Sequence, residues 1–454
     1  MKASSILGLN ARSQIYLTPL NSPRSRRIAD SKLLMFKTLK KAEIATPEVY
    51  KKFREPRDIF EFNWESLPDA FALKPSRGFG GEGIIVVKKR AVDAKKHKLP
   101  TTWITTQRNN ITEEDLKLHI LDILEGAYSM KNVPDVAFIQ EYVGRHKTFR
   151  KYAYRGTPDI RVIVYNKIPV MAMLRLPTKD SGGKANLHQG AIGVGVDIAT
   201  GITTKAFWHG DFIKYKPDTN KKLHGIKIPN WTSVLETAVK TAIVSGLGFT
   251  GVDIVLHPEK GPMVLELNAR PGIQIQLVNN AGLKKRLERV EDLDVRDAEH
   301  GVKIAKALFA ERFADRVKAE EGIKTLKAVE SVTVVGVEGK VEKILAKVDT
   351  GAWSSSIDKD LAKKLGIFGR SKILWYKKAI SAFGKEKRAV INVSFWLAGR
   401  KIKTTMTVSN RKNLAYKMII GRTELTGFLV SPEIPQEQIV EYMQSQGIKS
   451  KHKI

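Results

Sequence analysis

Apolar residues between positions 30 and 270 recur with two spacings, one typical of helices and one typical of strands. Leu33, Leu34, Phe36 and Leu39 recur at helical spacing and predict a helix with Asp30 as its N-cap. Helices are also predicted over 112–127 and Trp231–Gly246. Short apolar runs predict strands over Phe71–Lys74, Gly83–Val87, Ala137–Tyr142, Arg161–Tyr165, Val170–Leu176, Gly251–Leu256 and Met263–Asn268. The strands Arg161–Tyr165 and Val170–Leu176 are predicted to form a hairpin that turns at Asn166–Pro169. This mixture predicts an α/β (α+β) domain.

The pattern changes along the chain and divides it into segments. Residues 1–27 are rich in Pro, Ser and Arg and are predicted to form an extended N-terminal lead-in. The α/β domain is expected over 28–324 and to end in a charged helical segment from Leu283 to Glu321. A small all-β domain follows over 330–434, with strands at Ser331–Val337, Val341–Asp349, Arg388–Leu397, Lys401–Val408 and Lys417–Ile420. Residues 435–454 are predicted to be a C-terminal helix and basic tail.

Composition narrows the class of protein. The 454 residues are 42% hydrophobic, enough for packed cores, and include no cysteine, which excludes disulfides and thiolate chemistry. No apolar run is long enough to cross a bilayer and no signal-peptide core is present, so a cytoplasmic protein without membrane contact is expected. The net charge of +31 fits a ribosomal, RNA or acidic protein partner, but surface lysines that provide solubility are the favoured explanation for most of it.

A glycine-rich stretch from Lys74 to Gly83 lies between two predicted strands. Its glycines, which include Gly80 and Gly81, let backbone N–H groups approach phosphate oxygens, and Lys74 adds a positive charge. The stretch lacks the Gly-Lys-Ser/Thr of a P-loop. A phosphate cradle and an ordinary glycine-rich hairpin turn both remain open on this evidence alone.

Three oxygen-bearing side chains follow on two later strands. Glu266 and Asn268 are two residues apart and therefore project from one face of their strand, and Asp253 on the neighbouring strand can face them. Carboxylate and amide oxygens suit Mg²⁺ bound to nucleotide phosphates, and Mn²⁺ is a possible substitute. The alternative is a solvent-facing strand surface, but Asp253 and Glu266 have apolar neighbours, which favours a metal site.

In this order the motifs resemble those of the ATP-grasp superfamily. They are Ser31-Lys-Leu-Leu, Lys74-Pro-x-x-Gly-x-Gly-Gly-x-Gly-Ile, Ile139-Gln-Glu-Tyr-Val, Asp159-Ile-Arg-Val, Lys184-Ala-Asn-Leu-His-Gln-Gly, Gly251-Val-Asp-Ile and Leu265-Glu-Leu-Asn-Ala-Arg-Pro-Gly. The resemblance covers about residues 28–285. It is closer to the ribosomal-protein glutamate-ligase branch, and residues 170–201 resemble even more the uncharacterised glutamate-ligase-related proteins.

The resemblance implies a role for each residue. Lys32 and Lys74 would contact the ATP phosphates, and the backbone of Glu141, Tyr142 and Val143 would bind adenine. Asp159 would bind the ribose, while Lys184 and Asn186 would approach the phosphates and the forming acyl phosphate. Arg161 and Arg175 would hold the substrate carboxylate or the transferring phosphoryl group, unless they are surface ion-pair residues. Asp253, Glu266 and Asn268 would hold Mg²⁺, with Glu266 bridging two ions.

The implied reaction is ATP-dependent joining of a carboxylate to an amine through an acyl phosphate. It would add an amino acid, such as glutamate, to a peptide or small acceptor. Such ligases usually carry an N-terminal substrate domain, whereas only about thirty residues precede the Lys32 helix here. The basic stretch Gly144–Pro158 is either a lid or docking surface for an acidic acceptor, or an exposed loop. The alternative function is a basic ATP-binding adaptor for peptides or ribosomes.

Residues 330–434 resemble the retropepsin-like aspartic proteases, in particular the small proteins called ATP-dependent zinc proteases. Asp349-Thr-Gly ends one strand, Met418-Ile-Ile-Gly421 follows, and Ala382–Glu386 is a candidate flap turn. Aspartic proteolysis needs two carboxylates, so the resemblance implies a homodimer that pairs two copies of Asp349. No His-Glu-x-x-His and no cysteine supports zinc. A domain that only dimerises or binds peptide remains the alternative.

Overall fold

The computed structural model describes residues 3–78, 80–91, 101–129, 132–309, 324–381, 384–426 and 428–431. The chain divides into two units, Met1–Phe309 and Ala310–Ile454. The predicted C-terminal helix and tail at 435–454 lie outside the described residues. Within the described ranges, no helix combines the length and the apolar character needed to cross a bilayer.

The first unit contains a six-stranded antiparallel sheet that carries the glycine-rich loop. Its strands are β1 (Val49–Phe53), β2 (Phe71–Pro75), β3 (Ile85–Arg90), β4 (Thr102–Thr105), β5 (Asn110–Thr112) and β6 (Ala137–Glu141), in the order β1-β6-β2-β3-β4-β5. One face buries Phe71, Leu73 and Ile139 together with Trp103. Helical spacing places Leu116, Ile120 and Ile123 in that same core.

A seven-stranded antiparallel sheet forms the centre of the first unit. Its strands are β7 (Asp159–Tyr165), β8 (Ile168–Leu176), β9 (Ile192–Val196), β10 (Thr203–Trp208), β11 (Asp211–Ile213), β12 (Phe249–His257) and β13 (Gly261–Asn268), in the order β11-β10-β9-β8-β7-β12-β13. The predicted β7–β8 hairpin is confirmed. Asn166 and Lys167 both have positive φ at its turn, as a two-residue hairpin with type I′ geometry requires.

Helices cover these sheets. They are α1 (Leu9–Ala11), α2 (Thr18–Leu20), α3 (Pro23–Ala29), α4 (Lys32–Lys41), α5 (Arg57–Phe60), α6 (Glu113–Glu125), α7 (Trp231–Ser245), α8 (Ile275–Val278), α9 (Leu283–Glu288) and α10 (Ala298–Leu308). A capping box between Thr112 and Asp115 starts α6, and Gly126 ends it in the left-handed region. The helix predicted to begin at Asp30 is capped instead by Ser31, because Asp30 is the C-cap of α3.

Two further expectations for the first unit are wrong. The N-terminal lead-in is helical rather than extended, with a π-helical turn over Arg12–Leu17 between α1 and α2. It is docked through buried Asn21, whose Nδ2 donates to the carbonyls of Phe249 (2.8 Å) and Ala269 (3.0 Å). The described part of the charged segment after Leu283 is not helical throughout, because α9 ends at Glu288 and α10 begins at Ala298. Its remainder, 310–321, lies outside the described residues.

The described residues of the second unit form a small β-barrel with one α-helix. Its elements are β14 (Lys324–Leu326), β15 (Val329–Val335), β16 (Val341–Val348), β17 (Ser356–Asp358), α11 (Lys359–Lys364), β18 (Ile373–Ser381), β19 (Gly384–Leu397), β20 (Arg400–Ser409), β21 (Met418–Ile420) and β22 (Phe428–Val430). Six strands close in the order β15-β16-β21-β17-β20-β19, because β15 also pairs with β19. Strand β18 extends β19 outside this ring, and its turn at 382–383, in the expected flap, lies outside the described residues.

Candidate nucleotide and metal site

Two lysines predicted to contact phosphate lie near one carboxylate, Glu266. Lys32 lies in the first turn of α4, whose start is tied to the end of β2 by the Lys32 amide and the Ser76 carbonyl (3.0 Å). Its Nζ lies 3.3 Å from Oε1 of Glu266. Lys74 lies on β2 and is only 8% exposed. Burial, with the nearby charge of Lys32, lowers the pKa of Lys74 to about 8 although Glu266 opposes the shift.

The glycine-rich loop lies over the segment that carries the other predicted phosphate contacts. Gly80 and Gly81 have φ of 66° and 80°, a conformation that side chains disfavour. Asn186 donates through Nδ2 to the carbonyl of Gly80 at 3.4 Å, and the Lys184 side chain lies 3.9 Å from the Cβ position of Gly81. The structure thus brings Lys184 and Asn186 to the same loop, as a shared phosphate site requires.

Strand register aligns the charged residues on one face of the central sheet. Asp253 on β12 is paired with Arg161 on β7 and with Glu266 on β13, and Asp159 is paired with Arg175 on β8. Residues that are directly opposite on neighbouring strands project from the same face. This register confirms the expectation that Asp253 and Glu266 face each other.

The aspartates and arginines form a buried network. Arg161 donates to both carboxylate oxygens of Asp253, at 2.7 and 2.6 Å. Arg175 donates to both oxygens of Asp159, at 2.5 and 2.7 Å, and also to Asp253 at 2.8 Å. These planar, bidentate contacts fix both guanidinium groups. A cavity of about 30 Å³ next to them is also lined by Asn186 and His188.

Burial and the neighbouring charges act in opposite directions on the pKa values of this network. Burial raises the pKa of Asp159 to about 6 although Arg175 opposes the shift, and the neighbouring Asp253 adds to it. Burial would also raise the pKa of Asp253, but Arg161 and Arg175 outweigh it and hold that pKa below its ordinary value. Burial would lower the pKa of Arg175, yet Asp159 and Asp253 raise it. Arg175 is therefore charged at every accessible pH.

The three residues predicted to hold Mg²⁺ differ in their accessibility. The Glu266 side chain is 39% exposed and can reach an incoming cation. Asn268 donates through Nδ2 to Asp253 at 3.2 Å, which leaves its Oδ1 as the atom for a metal. Asp253 is 1% exposed and already accepts from two arginines. The described residues hold no group of three His, Cys, Asp or Glu side chains placed for a metal. Glu266 and Asn268 thus fit a cation that completes its shell with phosphate and water.

Asp159 is not placed as its predicted role at the ribose requires. Both its oxygens are occupied by Arg175 and the residue is buried. In this structure its carboxylate positions Arg175 against Asp253.

The predicted adenine-binding segment lies at the end of β6. The Glu141 amide donates to the Glu48 carbonyl at 2.7 Å, and its carboxylate accepts from Lys260 at 2.5 Å. Tyr142 is half-buried. Val143 packs with Val255, Met263 and Leu265 in a small apolar cluster. The sequence prediction missed these three partners, because their apolar character equally fits an ordinary strand core.

Gln140 is a further residue that sequence reasoning missed. It is fully buried, and neither its Oε1 nor its Nε2 has a hydrogen-bond partner among the described residues. Gln140 is paired with Ala72 and Phe138 with Lys74, so Gln140 and Lys74 project from the same face of the sheet. A buried amide without partners is costly unless a ligand completes its hydrogen bonds.

These features define a protein of the ATP-grasp class: two antiparallel sheets, a glycine-rich loop, converging lysines and an acidic strand pair. Residues 11–292 match the protein-family model described as Sugar-transfer associated ATP-grasp, which covers well over half of the 454-residue chain. The chain belongs to this family, whose superfamily consists of ATP-dependent ligases. The ATP-grasp expectation is confirmed. The matched region also includes most of the segment that was predicted to be a lead-in.

Solved structures give weaker similarities. The ATP-grasp ligase PsnB, complexed with minimal precursor, Mg and ADP, is 17% identical, with a TM-score of 0.33 over 60% of this chain and 60% of its own. D-alanine–D-alanine ligase from Bacillus anthracis is 13% identical, with a TM-score of 0.31 over 66% and 72%. A Legionella pneumophila protein of unknown function is 18% identical, with a TM-score of 0.18 over 25% of this chain and 96% of its own. No curated protein matches the sequence.

The aspartate of the second unit lies where two parallel strands end. Asp349 follows β16, which pairs with β21 in parallel, and its amide donates to the Ile420 carbonyl at 2.9 Å. Its Oδ1 accepts from the amides of Gly351 (2.9 Å) and Ala352 (3.1 Å). A Cβ on Gly421 would lie 2.7 Å from the backbone of Ser354, so this position requires glycine. The two motifs noted in the sequence therefore meet.

Proposed function

We propose that the first unit is an ATP- and Mg²⁺-dependent carboxylate–amine ligase. The observation that carries this proposal is the ion pair of Lys32 with Glu266 near the buried Lys74, together with the buried Asp253–Arg161–Arg175 network. Two cations, an accessible carboxylate and a glycine-rich loop supply the charge and backbone donors that a nucleotide phosphate chain needs. No part of the site offers an activated nucleophile, so positioning and charge neutralisation carry the rate.

The order of these groups supports a position for the nucleotide. Its phosphates would lie under Gly80 and Gly81, between the two lysines and the Lys184–Asn186 segment. Its adenine would lie at the end of β6, against the apolar cluster of Val143, Val255, Met263 and Leu265. The orphaned amide of Gln140 offers one donor and one acceptor to the base.

Glu266 and Asn268 hold the metal. Mg²⁺ bound there would neutralise the negative charge that develops on the phosphate oxygens during phosphoryl transfer. Asp253 keeps Arg161 and Arg175 oriented on the same face.

The reaction proceeds in two steps. An oxygen of the substrate carboxylate attacks the γ-phosphorus, the bond to the β-phosphate oxygen breaks, and ADP leaves. The lone pair of the substrate amine then attacks the acyl carbon and expels inorganic phosphate, and the amine proton passes to solvent. Arg161 and Arg175, held rigid by their carboxylate partners, stabilise charge on the transferring phosphoryl group.

For the substrates, we propose an amino acid, with glutamate as the first candidate, and a peptide or small-molecule acceptor. The resemblance of residues 170–201 to glutamate-ligase-related proteins supports this choice. The rival hypothesis is a basic adaptor that binds ATP, peptides or ribosomes without turnover.

The test is amino-acid-dependent ADP release by the purified chain with ATP, Mg²⁺, glutamate and candidate acceptors, followed by mass spectrometry for added residues. Glu266→Gln should lower ADP release at least about 100-fold, because it removes the accessible metal carboxylate. Glu259→Gln makes the same change at an exposed position between β12 and β13 and should leave the rate unchanged. Equal rates in both variants would refute the metal assignment. ATP binding without amino-acid-dependent turnover would favour the adaptor.

A second candidate function belongs to the second unit: retropepsin-like binding or cleavage of peptides as a homodimer. It is favoured by the position of Asp349, whose carboxylate is oriented by two backbone amides at the end of β16. Proteolysis would need a second Asp349 from another copy. Asp349→Asn should abolish peptide cleavage without changing the oligomeric state measured by light scattering, whereas Asp360→Asn on α11 should retain cleavage. Cleavage that survives Asp349→Asn would exclude an aspartic mechanism.

A further inference from the structure

A large basic cavity lies in the first unit, and its lining includes none of the residues placed around the nucleotide. Its volume is about 740 Å³, and its cationic lining residues are Lys88, Lys89, Arg108, Arg145 and Arg155. None of the lining residues within the described part of the chain carries a carboxylate. The volume lies within the range of sites that enclose a small ligand or several residues of a peptide.

Local backbone geometry brings these cations together. A register shift between Val87 and Lys89 in the β3–β4 pairing is a bulge, which allows the consecutive Lys88 and Lys89 to line the same cavity. Arg108 has φ of 70° in a tight turn, where the Arg108 amide donates to the Thr105 carbonyl at 3.0 Å. A left-handed backbone conformation is unfavourable for arginine, and the hydrogen bond of this turn holds Arg108 in it.

The opposite wall comes from the basic stretch Gly144–Pro158, which is a packed loop rather than a freely exposed one. Phe149, Tyr152 and Ala153 are buried. Arg155 donates through Nη1 to the Gln107 carbonyl at 2.7 Å, and Arg145 donates through Nη1 to the Ala153 carbonyl at 3.2 Å. These bonds hold both guanidinium groups at the cavity wall.

This loop also touches the segment that carries Lys184. A Cβ on Gly156 would lie 1.7 Å from the Gly183 carbonyl oxygen, so the two backbones are in direct contact. The Tyr154 amide is bonded to the Pro177 carbonyl at 2.8 Å. The basic cavity therefore adjoins the phosphate end of the proposed nucleotide site rather than its adenine end.

We propose that the basic cavity binds an acidic peptide segment of the acceptor through its carboxylates. The proposal rests on the proposed ligase function for the identity of that segment as the acceptor. The arginine guanidinium and lysine ammonium groups can each bind a carboxylate of such a segment. The hydroxyl groups of Thr105 and Thr106 can hydrogen-bond its backbone, and the apolar Ile104 can contact the methylene groups of its side chains.

Single-stranded nucleic acid fits the cavity less well. Sequence-tolerant nucleic-acid sites present open aromatic faces on which bases stack. The one aromatic residue that lines this cavity is Tyr154, and the Arg155 guanidinium lies 5.0 Å from the centre of its ring.

The test is fluorescence anisotropy of labelled hexaglutamate with the full-length protein at physiological salt, with hexaglutamine and a short RNA as comparison probes. Lys88→Gln, Lys89→Gln and Arg108→Gln, combined in one protein, remove three exposed cations of the cavity. The matched control combines Lys37→Gln, Lys40→Gln and Lys240→Gln, which lower the net charge equally at exposed positions on α4 and α7.

The cavity variant should bind hexaglutamate about tenfold more weakly, and the control should stay within about twofold of the wild type. Equal weakening in both variants would show attraction by the overall charge and overturn the proposal. So would a loss of RNA binding without a loss of hexaglutamate binding.

Binding of Mg²⁺–ADP, measured by calorimetry on the same proteins, separates this proposal from the ligase function. The cavity variant should keep its ADP affinity. Hexaglutamate binding without ADP binding would refute the ligase and leave the cavity as a peptide site. ADP binding without hexaglutamate binding would refute the cavity proposal alone.

Discussion

Replacing Lys74 with methionine should stabilise the nucleotide-free protein while it abolishes nucleotide binding. The Lys74 side chain is buried on β2, and its pKa falls from 10.5 to about 8, chiefly because burial penalises the ammonium. That difference corresponds to about 3 kcal/mol of unfavourable free energy for the charged form in the folded state. Methionine has a similar length and no charge, so Lys74→Met should raise the free energy of unfolding at pH 7 by about 1–3 kcal/mol.

The stability difference between Lys74→Met and the wild type depends on pH, and the lowered pKa of Lys74 determines its direction. Between pH 8 and 10.5 the unfolded state holds a proton on Lys74 that the folded state has lost, so wild-type stability rises with pH in that interval. Below pH 8 Lys74 is protonated in both the folded and the unfolded state, so the full free-energy cost of burying its ammonium group is present. The stability gap between Lys74→Met and the wild type should therefore narrow as the pH rises from 8 to 10.

The assay is urea denaturation followed by pulsed hydrogen exchange and mass spectrometry of peptides from the first unit. Because exchange is measured separately for each peptide, unfolding of the second unit does not contribute to the stability measured for the first unit. Lys52→Met, at an exposed position on β1, is the control and should change stability by less than about 0.5 kcal/mol. A loss of stability in Lys74→Met, or a gap that is constant from pH 8 to 10, would refute the assignment of Lys74 as a buried charge kept for a ligand.

Four further predictions concern the same unit. Nucleotide affinity of the wild type should fall as the pH rises through about 8, with proton uptake on binding in calorimetry; an affinity that is constant across this pH range would place Lys74 outside the phosphate site. Gln140→Leu should stabilise the free protein by about 1–2 kcal/mol in the same exchange assay and weaken ATP binding, because it removes an orphaned buried amide; unchanged affinity would place Gln140 outside the site. Arg175→Met should cost about 3–5 kcal/mol, since it leaves the Asp159 carboxylate buried and unpaired, whereas the more accessible Arg161→Met should cost less. Asn21→Ala should cost about 1–3 kcal/mol and expose the N-terminal helices to early hydrogen exchange; a neutral effect would mean that the docked segment adds nothing to stability.

The local elements were predictable where a regular period or a turn signal fixes them. The β7–β8 hairpin follows from two short apolar runs and an asparagine-containing turn, and α7 follows from helical spacing that ends at Gly246. The N-terminal segment was misjudged because its helicity depends on partners distant in sequence. Buried Asn21, Tyr16 and Leu17 contribute to stability only once the central sheet exists.

Residue type and order along the chain determined the class of the protein and most of its site. Glycines, lysines and alternating carboxylates at fixed spacings point to phosphate and metal chemistry, since few other residues perform it. The tertiary structure alone decided which charges are neutralised before a ligand arrives. It showed that Asp253 and Asp159 hold arginines, that Lys74 and Gln140 are buried without full compensation, and that Lys88, Arg108 and Arg155 share one cavity. The spacing of residues along a strand determines which face of the strand each side chain occupies, but not which other strands lie beside it. The burial and the charge pairing of these side chains depend on those neighbouring strands, and they set the pKa values and the energetic cost of each charged group.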